Sequence, residues 1–307
     1  MKEKICAIVV TYNRKELLLK QINNILKKQT CEVDTYYIID NCSTDDTENA
    51  VYECMTNLNT SKINYCKTNY NSGGAGGFSF GLQKAYETGY DWYIMMDDDG
   101  RPYDEKCIEN LLSYIEKKGY SSKNAYLLNS LVQSDDKYLS FGLDHLEKVE
   151  DALRINNDGA ISGKINPFNG TWISHGLIEK IGFPNGDFFI KGDENDYIRR
   201  AQSVNAVIQT IVDSRYYHPR SIGYKKKKVL GHDMYVYIEA PWKEYYSARN
   251  YTFSYLQFLD HKGALMFCAK RIYCAMVCKC KKIDTVKMIV KGYIDGKKGR
   301  LGATIRP

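Results

Sequence analysis

The sequence predicts an α/β protein: a mostly parallel, doubly wound sheet flanked by helices, followed by a helical C-terminal extension. Three observations carry this expectation. Short continuous apolar runs alternate with stretches of helical period through the first hundred residues. Each apolar run closes on polar or acidic residues, and beyond Ala240 only the helical period persists. Strands buried on both faces of a parallel sheet read as such unbroken runs, and alternating strand and helix signals imply right-handed crossovers.

Residues Lys4 to Thr11 (KICAIVVT) read as the first strand, followed by a loop at Tyr12-Asn13-Arg14. Leu17, Leu18, Ile22, Ile25 and Leu26 then recur on one face of an amphipathic helix. Thr35 to Asp40 (TYYIID) is the second strand, and the polar loop Asn41 to Asp46 can cap a helix from about Asp46 to Leu58. Ile63 to Lys67 is a third strand. The glycine-rich loop Asn69 to Gly77 (NYNSGGAGG) opens a helix over Phe78 to Thr88, and Asp91 to Met96 is the fourth strand.

That strand runs into Asp97-Asp98-Asp99, then Gly100 and Pro102 stop regular structure. Three adjacent carboxylates repel one another, so a burial site needs a cation, most simply an oxygen-preferring divalent ion such as Mg²⁺ or Mn²⁺. A solvated acidic turn is the plain alternative. In doubly wound sheets ligands bind at the carboxyl ends of strands, and Thr11 to Arg14, Asp40, the glycine loop and the triplet all fall there. The glycine spacing is neither G-x-G-x-x-G after the first strand nor a P-loop, which disfavours dinucleotide-dependent dehydrogenases and P-loop NTPases.

Further along, a helix is expected over Cys107 to Glu116 and strands over Ala125 to Val132 and Asn205 to Val212. The stretch Ser134 to Lys164 is polar and weakly patterned, with a hairpin turn expected at Asn156 to Gly159. Phe188 to Lys191 leads into a second acidic cluster, Asp193-Glu194-Asn195-Asp196; its plain reading is a first helical turn whose carboxylates complement the helix dipole.

The net charge is +6, and the excess Lys and Arg concentrate after about Arg215, which suggests an anionic partner for the C-terminal part. No nucleic-acid-binding motif accompanies it. Amphipathic helices on an anionic membrane face, or packing against the main domain, account for the basic apolar tail. No run reaches the ~20 apolar residues of a membrane span. The ten cysteines show no pairing pattern and no signal peptide precedes the first strand, so a cytoplasmic setting is expected, with the inner membrane face as a peripheral location. Cys274, Cys278 and Cys280 cluster without a fourth zinc ligand. Tyrosine is abundant at 26 residues, which suits polyhydroxylated ligands.

Taken together, TYNR after the first strand, IIDNCSTDDT, NSGGAGGF, MMDDDGRP, FFIKGDENDYIRRA, a histidine 25 residues beyond Asp193, and YYSARN resemble the inverting glycosyltransferases of family 2. The likeness is strongest to bacterial galactofuranosyl- and rhamnosyltransferase-like members and covers roughly residues 1 to 255. It implies the GT-A fold, with a Rossmann-like sheet, over about residues 1–235. Residues 1–100 would form the nucleotide-sugar half and 101–235 the acceptor half, ahead of a basic helical region over 236–307.

The resemblance further implies that Thr11, Tyr12, Arg14 and Asp40 hold the uridine and diphosphate of a UDP-sugar donor. Gly73, Gly74, Gly76 and Gly77 would admit it closely, Asp97 and Asp99 would ligate Mn²⁺ or Mg²⁺ with His218, and Asp98 would touch ribose or sugar. Trp172 and His175 match an acceptor-lining segment, where an aromatic face can stack on a sugar, with Trp172 as core filler the plain alternative. Asp193 matches a holder of the acceptor hydroxyl and Glu194 the general base; the family more often has Asp at the latter position, which leaves the choice between the two open. The implied reaction is metal-dependent transfer of a sugar, with galactofuranose as the first expectation and rhamnose or another hexose as the alternative. The implied acceptor is a glycan or a polyprenyl-diphosphate-linked glycan in cell-wall or capsule synthesis. A nucleotidyltransferase would carry a Gly-rich, Lys/Arg-containing loop where TYNR stands. A non-catalytic glycan- or membrane-binding protein with a degenerate site is the rival of another class, and a homo-oligomer stays open.

Overall fold

The structure is a computed structural model that describes residues 3–144, 146–220, 225–229, 232–236, 238–277 and 282–305. The first half alternates β1 (Ile5–Thr11), α1 (Lys15–Lys27), β2 (Thr35–Asp40), α2 (Thr47–Leu58), β3 (Ile63–Lys67), α3 (Gly73–Thr88) and β4 (Trp92–Asp97). There follow β5 (Arg101–Pro102), α4 (Cys107–Lys118), β6 (Tyr126–Gln133), β7 (Tyr138–Leu143), β8 (Leu146–Lys148), α5 (Val149–Ile155) and β9 (Ala160–Ser162). Then come β10 (Asn169–Ser174), α6 (His175–Ile181), α7 (Asp193–Ser203) and β11 (Val207–Tyr217). The last elements are β12 (Lys225–Val229), β13 (His232–Val236), α8 (Pro241–Gln257), α9 (His261–Val277) and α10 (Lys282–Lys297).

The main sheet runs in the order β3-β2-β1-β4-β10-β6-β11-β5, so the chain reverses direction across the sheet at β1 and β4. Strands β1, β2, β3 and β4 are mutually parallel, as are β6 and β11. The expected mixed α/β fold with a doubly wound sheet is therefore present. β10 departs from the parallel pattern, running antiparallel to both β4 and β6. Its direction decides where several side chains finish.

Every residue of β1 is buried, and its side chains feed two separate cores. Ile5, Ala7 and Val9 join Leu18, Ile22 and Ile25 of α1 and Ile108, Leu111 and Ile115 of α4. Cys6, Ile8 and Val10 join Phe78, Leu82 and Ala85 of α3, Leu177 and Ile178 of α6, and Tyr197 and Ala201 of α7. The period-2 alternation of strand side chains thus meets a helical layer on each side. Burial of each Val, Leu, Ile or Phe among them contributes on the order of 1.5–3 kcal/mol. The weakly patterned stretch after Ser134 supplies β7, β8, α5 and β9 around a small third core. The turn at Asn156 to Gly159 connects α5 to β9 through the single bridge Asn157↔Ala160, where a hairpin between two strands was expected.

The chain divides into two compact units. The first comprises Met1–Asn71, Gly77–Phe183 and Tyr197–Arg220; the second comprises Ser72–Gly76, Pro184–Asp196 and Ser221–Pro307. Within the second, β12 and β13 form a two-stranded antiparallel ribbon. α10 lies backbone to backbone against α8 because Gly292 and Gly296 present no side chain. A Cβ there would stand 2.4 Å from the Tyr245 carbonyl oxygen and 2.3 Å from that of Arg249. Among the described residues no helix is long and apolar enough to cross a membrane. Cys278 and Cys280 lie outside the described residues.

Candidate active site

The parallel register places Thr11 opposite Asp40 and Val10 opposite Asp97, which puts these strand ends on one carboxyl edge of the sheet. The triplet follows immediately. Its backbone is clamped by a buried glutamine of α1: Gln21 Nε2 donates to the carbonyl oxygens of Asp97 (2.6 Å) and Gly100, while its Oε1 accepts from the Tyr36 hydroxyl. A polar residue lying on the apolar face that carries Leu18, Ile22 and Ile25 was the one sequence signal for this clamp.

The three aspartates divide their work. Asp98 points inward and is 5% exposed; its Oδ2 accepts from Thr11 Oγ1 (2.8 Å) and its Oδ1 from Arg14 Nη1 (2.9 Å). Burial pushes its carboxyl above the ordinary range, and the Arg14 charge and the Thr11 bond only partly offset that. Asp98 therefore locks the β1 end to the triplet, and its oxygens are engaged within the protein. Arg14 also reaches Asp99 Oδ2 at 3.1 Å while its side chain stays half exposed.

His218 arrives from far along the chain. β11 follows β6, skips residues 212–214 in a bulge between Ile211 and Arg215, and then pairs with β5 directly after the triplet. The ring of Tyr216 occupies the space left by two glycines: a Cβ on Gly100 or on Gly170 would lie 2.6 Å from it. Gly170, at φ +68°, sits at the bulge where β10 meets β4. This packing sets the end of β11, and the His218 amide donates to the Gln133 carbonyl at 3.1 Å.

Ligand-type atoms of Asp97, Asp99 and His218 consequently lie within 4.8 Å of one another. His218 Nε2 is 3.0 Å from Asp99 Oδ1, yet the contact is off the line of a hydrogen bond and this buried oxygen accepts none. Burial pushes the Asp99 carboxyl up, but His218 and then Arg14 outweigh it and hold it below the usual carboxylate range. Burial lowers and Asp99 raises the imidazole of His218, which ends above its ordinary value. An orphaned, buried carboxylate oxygen beside a second carboxylate and an imidazole fits a divalent cation with O and N ligands.

The loops beside these groups brace each other. Asn13 accepts at Oδ1 from the Thr44 amide (2.7 Å) and donates through its own amide to Ser43 Oγ (2.9 Å). Asp40 is fully buried, accepting from the Ser43 amide (2.7 Å) and from the Tyr65 hydroxyl, so it fixes the loop that follows β2. Tyr12 is 44% exposed at the same edge.

The glycine loop forms the first turn of α3. The four glycines differ in what surrounds them. A Cβ on Gly73 (φ +73°) would strike the Phe189 carbonyl oxygen at 2.0 Å, and one on Gly77 would meet Val10 Cγ1 at 2.5 Å. A Cβ on Gly76 would meet the Ser72 side chain at 2.5 Å, whereas Gly74 has nothing within 4 Å. Gly73 and Gly77 are thus required by the protein's own packing, and Gly74 is the one with open space.

Two expected acceptor residues lie elsewhere. Trp172, on β10, is 2% exposed, with its ring 6.3 Å from that of Trp92 in the core. Because β10 is antiparallel to β4, Ser174 pairs with Trp92 and His175 emerges where β4 begins. Asp97 stands at the other end of that strand, five residues or roughly 16 Å of strand rise away. The His175 ring stacks on Tyr86 at 4.7 Å, with Nδ1 3.2 Å from the Tyr93 hydroxyl. Neither residue joins the triplet; an apolar run does not encode strand direction.

The acidic cluster forms the first turn of α7, with Asp193 5% and Asp196 4% exposed and Glu194 partly exposed. Arg200, at the other end of the helix, donates to the carbonyls of Ile181 (2.6 Å) and Phe183 (2.9 Å), a structural anchor. The segment entering α7 has positive φ at Phe189 (65°), Lys191 (68°) and Gly192 (86°), a rare backbone for the first two. Asn250 and Arg249, from YYSARN, hydrogen-bond its carbonyls.

Comparisons with known proteins agree with this architecture. The family "Glycosyl transferase family 2" matches residues 6–125. The chain is 29% identical over 257 residues to "Galactofuranosyltransferase GlfT1" of Mycolicibacterium smegmatis, covering 81% of this chain and 82% of that one. It is 22% identical to "dTDP-rhamnosyl transferase RfbF" of Shigella flexneri, across 98% of both chains. In structure it is similar to GalNAc-T7 solved with UDP, GalNAc and Mn²⁺, with a TM-score of 0.60 and 14% identity; the match covers 96% of this chain and 56% of that one. Residues 6–125 thus match the family 2 glycosyltransferases, and over its length the chain is similar to members of that family and to structures of GT-A fold.

Proposed function

We propose that this protein is a metal-dependent, inverting galactofuranosyltransferase. It moves galactofuranose from UDP-galactofuranose to a hydroxyl of a glycan or polyprenyl-diphosphate-linked glycan in cell-wall or capsular polysaccharide synthesis. The observation that carries the reading is the Asp97–Asp99–His218 group with its orphaned Asp99 oxygen. Similarity to GlfT1 over four fifths of the chain supports the choice of sugar.

In this reading Asp97, Asp99 and His218 hold Mn²⁺ or Mg²⁺. Such an ion, when bound, neutralises the diphosphate of the departing nucleotide. Thr11, Tyr12, Arg14 and Asp40 bind the uridine and diphosphate. Arg14 is held by Asp98 and Asp99 with half its side chain exposed, and offers fixed positive charge to the phosphates. Gly74 offers open backbone to the donor. Asp193 orients the acceptor hydroxyl and Glu194 takes its proton, since a sugar hydroxyl is a poor nucleophile without a base in hydrogen-bond reach. One base and no enzyme nucleophile give a single displacement with inversion.

A second reading, a rhamnosyl- or other hexosyltransferase using a dTDP- or UDP-sugar, is favoured by the end-to-end similarity to RfbF. The outer faces of α9 and α10 expose Leu265, Met266, Met276, Ile283 and Ile294 among lysines, which supports peripheral contact with an anionic membrane. The deciding experiment measures nucleotide release and sugar transfer with Mn²⁺ from UDP-galactofuranose, UDP-galactose, UDP-glucose and dTDP-rhamnose. UDP-galactofuranose should turn over fastest. Preference for dTDP-rhamnose would favour the second reading, and turnover of none would point to a non-catalytic binding protein.

A further inference from the structure

Three consecutive residues of α8 converge on the segment that enters α7. Asn250 Nδ2 donates to the carbonyl oxygens of Phe188 (2.9 Å), Ile190 (2.9 Å) and Lys191 (2.7 Å). Arg249 Nη2 donates to those of Asp187 (3.3 Å) and Phe188 (3.0 Å), and its Nε to Asn250 Oδ1 at 2.7 Å. The Tyr251 hydroxyl accepts from Asn195 Nδ2, next to Glu194. Arg249 and Asn250 are completely buried, and their bonds to the segment end on neutral oxygens.

A buried guanidinium directed at peptide carbonyls is a costly way to gain stability, which suggests that it is kept for geometry. The segment it holds needs holding. Phe189 and Lys191 keep left-handed φ values that persist only when the surroundings over-determine them. From its other side Gly73 admits the Phe189 carbonyl, which accepts from the Ala75 amide at 3.1 Å. Gly192 stands where a Cβ would lie 3.3 Å from Asn250 Cβ and 3.2 Å from the Tyr251 ring. Behind the trio, α8 is backed by α10 through Gly292 and Gly296, so the donors stand on a closely packed helix pair.

We infer that Asn250, seconded by Arg249 and Tyr251, is the positioning residue that sets the first turn of α7 and with it Asp193 and Glu194. The inference rests on those two carboxylates activating the acceptor, as proposed above. Asn250 touches no reacting atom. It acts by keeping the residues before the base in one strained conformation, and a misplacement of about 1 Å in such a group can cost about 10²-fold in rate.

The test replaces the amide donor by a carboxylate oxygen of the same shape. Asn250→Asp should lower kcat for sugar transfer about 10²-fold while UDP affinity with Mn²⁺ stays within about twofold. In a Glu194→Gln background the same change should cause no further loss, because its effect passes through the base. Additive losses, or UDP affinity falling in step with kcat, would overturn the inference. Hydrogen exchange gives a readout independent of turnover: amides of residues 187–195 should exchange faster in Asn250→Asp while those of β1 and β4 do not. Unchanged exchange there would equally overturn it. Were Asn250→Asp unable to fold, Tyr251→Phe removes only the acceptor for Asn195, and a severalfold drop in kcat at constant UDP affinity is expected; an unchanged kcat would refute the inference. Wild-type turnover by Glu194→Gln, in contrast, would refute the base assignment and leave the exchange result standing.

Discussion

Nε2 of His218 lies 3.0 Å from Oδ1 of Asp99, and that buried oxygen has no hydrogen bond aligned on it. The two atoms face each other as ligands do. Asp99→Asn keeps the shape and turns a carboxylate into an amide able to pair with the imidazole. The thermal midpoint should therefore be unchanged or higher, while the midpoint rise caused by Mn²⁺ with UDP should vanish. Retention of that rise would remove Asp99 from the ligand set. Chelation of the wild type with EDTA should abolish turnover, and added Mn²⁺ should restore it.

Trp172 is expected to matter through the core. Trp172→Ala should lower stability by about 3–5 kcal/mol, as large aromatic truncations in a close-packed interior do. Trp172→Phe should recover much of that. Chemical denaturation of both variants checks it; an acceptor KM that rises in Trp172→Ala with unchanged stability would return this residue to the acceptor site.

The glycine loop separates packing from binding. Gly77→Ala drives a methyl against Val10 and should destabilise by about 1–3 kcal/mol. Gly74→Ala meets nothing within 4 Å, and better helix propensity should make it neutral or more stable by up to about 1 kcal/mol. Its UDP-sugar affinity should nevertheless fall. Equal affinity in Gly74→Ala and wild type would show that the donor does not approach this backbone.

Cys107 gives a pH signature. Its thiol contacts Ser130 and Ser214 in the core, and burial pushes its pKa up to about 11 from 9.0. A raised folded-state value means that its stabilising effect is complete below about pH 9, where neither state has lost the proton. It declines as pH rises towards 11, because the unfolded chain ionises first. Between pH 8 and 10.5 the wild type should therefore lose more stability than Cys107→Ala. Parallel losses in the two proteins would contradict the burial argument.

Much of this was legible in the sequence, for identifiable reasons. β1, β2 and β4 announce themselves because strands covered on both faces read as apolar runs, and the triplet stands out because like charges at a strand end need a partner. The strand continues one residue further than the apolar run, to Asp97, and α3 begins at Gly73 rather than Phe78. The direction of β10 was hidden, since an apolar run reads alike both ways, and with it that Trp172 turns into the core and His175 emerges beside the start of β4. His218 reaches Asp99 only through a three-residue bulge in β11 that no local pattern marks. Gln21 was visible only as a polar break in an apolar helix face, and the roles of Arg249 and Asn250 depend on carbonyls about sixty residues away.

The most direct measurement of the central claim is UDP release from UDP-galactofuranose with Mn²⁺ and a polyprenyl-diphosphate-linked glycan acceptor, in wild type, Asp97→Ala and Glu194→Gln. The wild type should turn over. Asp97→Ala should fall about 10²–10³-fold, the order seen when a group stabilising transition-state charge is removed. Glu194→Gln should bind UDP normally and keep only a small residual rate of transfer. Metal-independent turnover, or transfer by Asp97→Ala at the wild-type rate, would contradict the account.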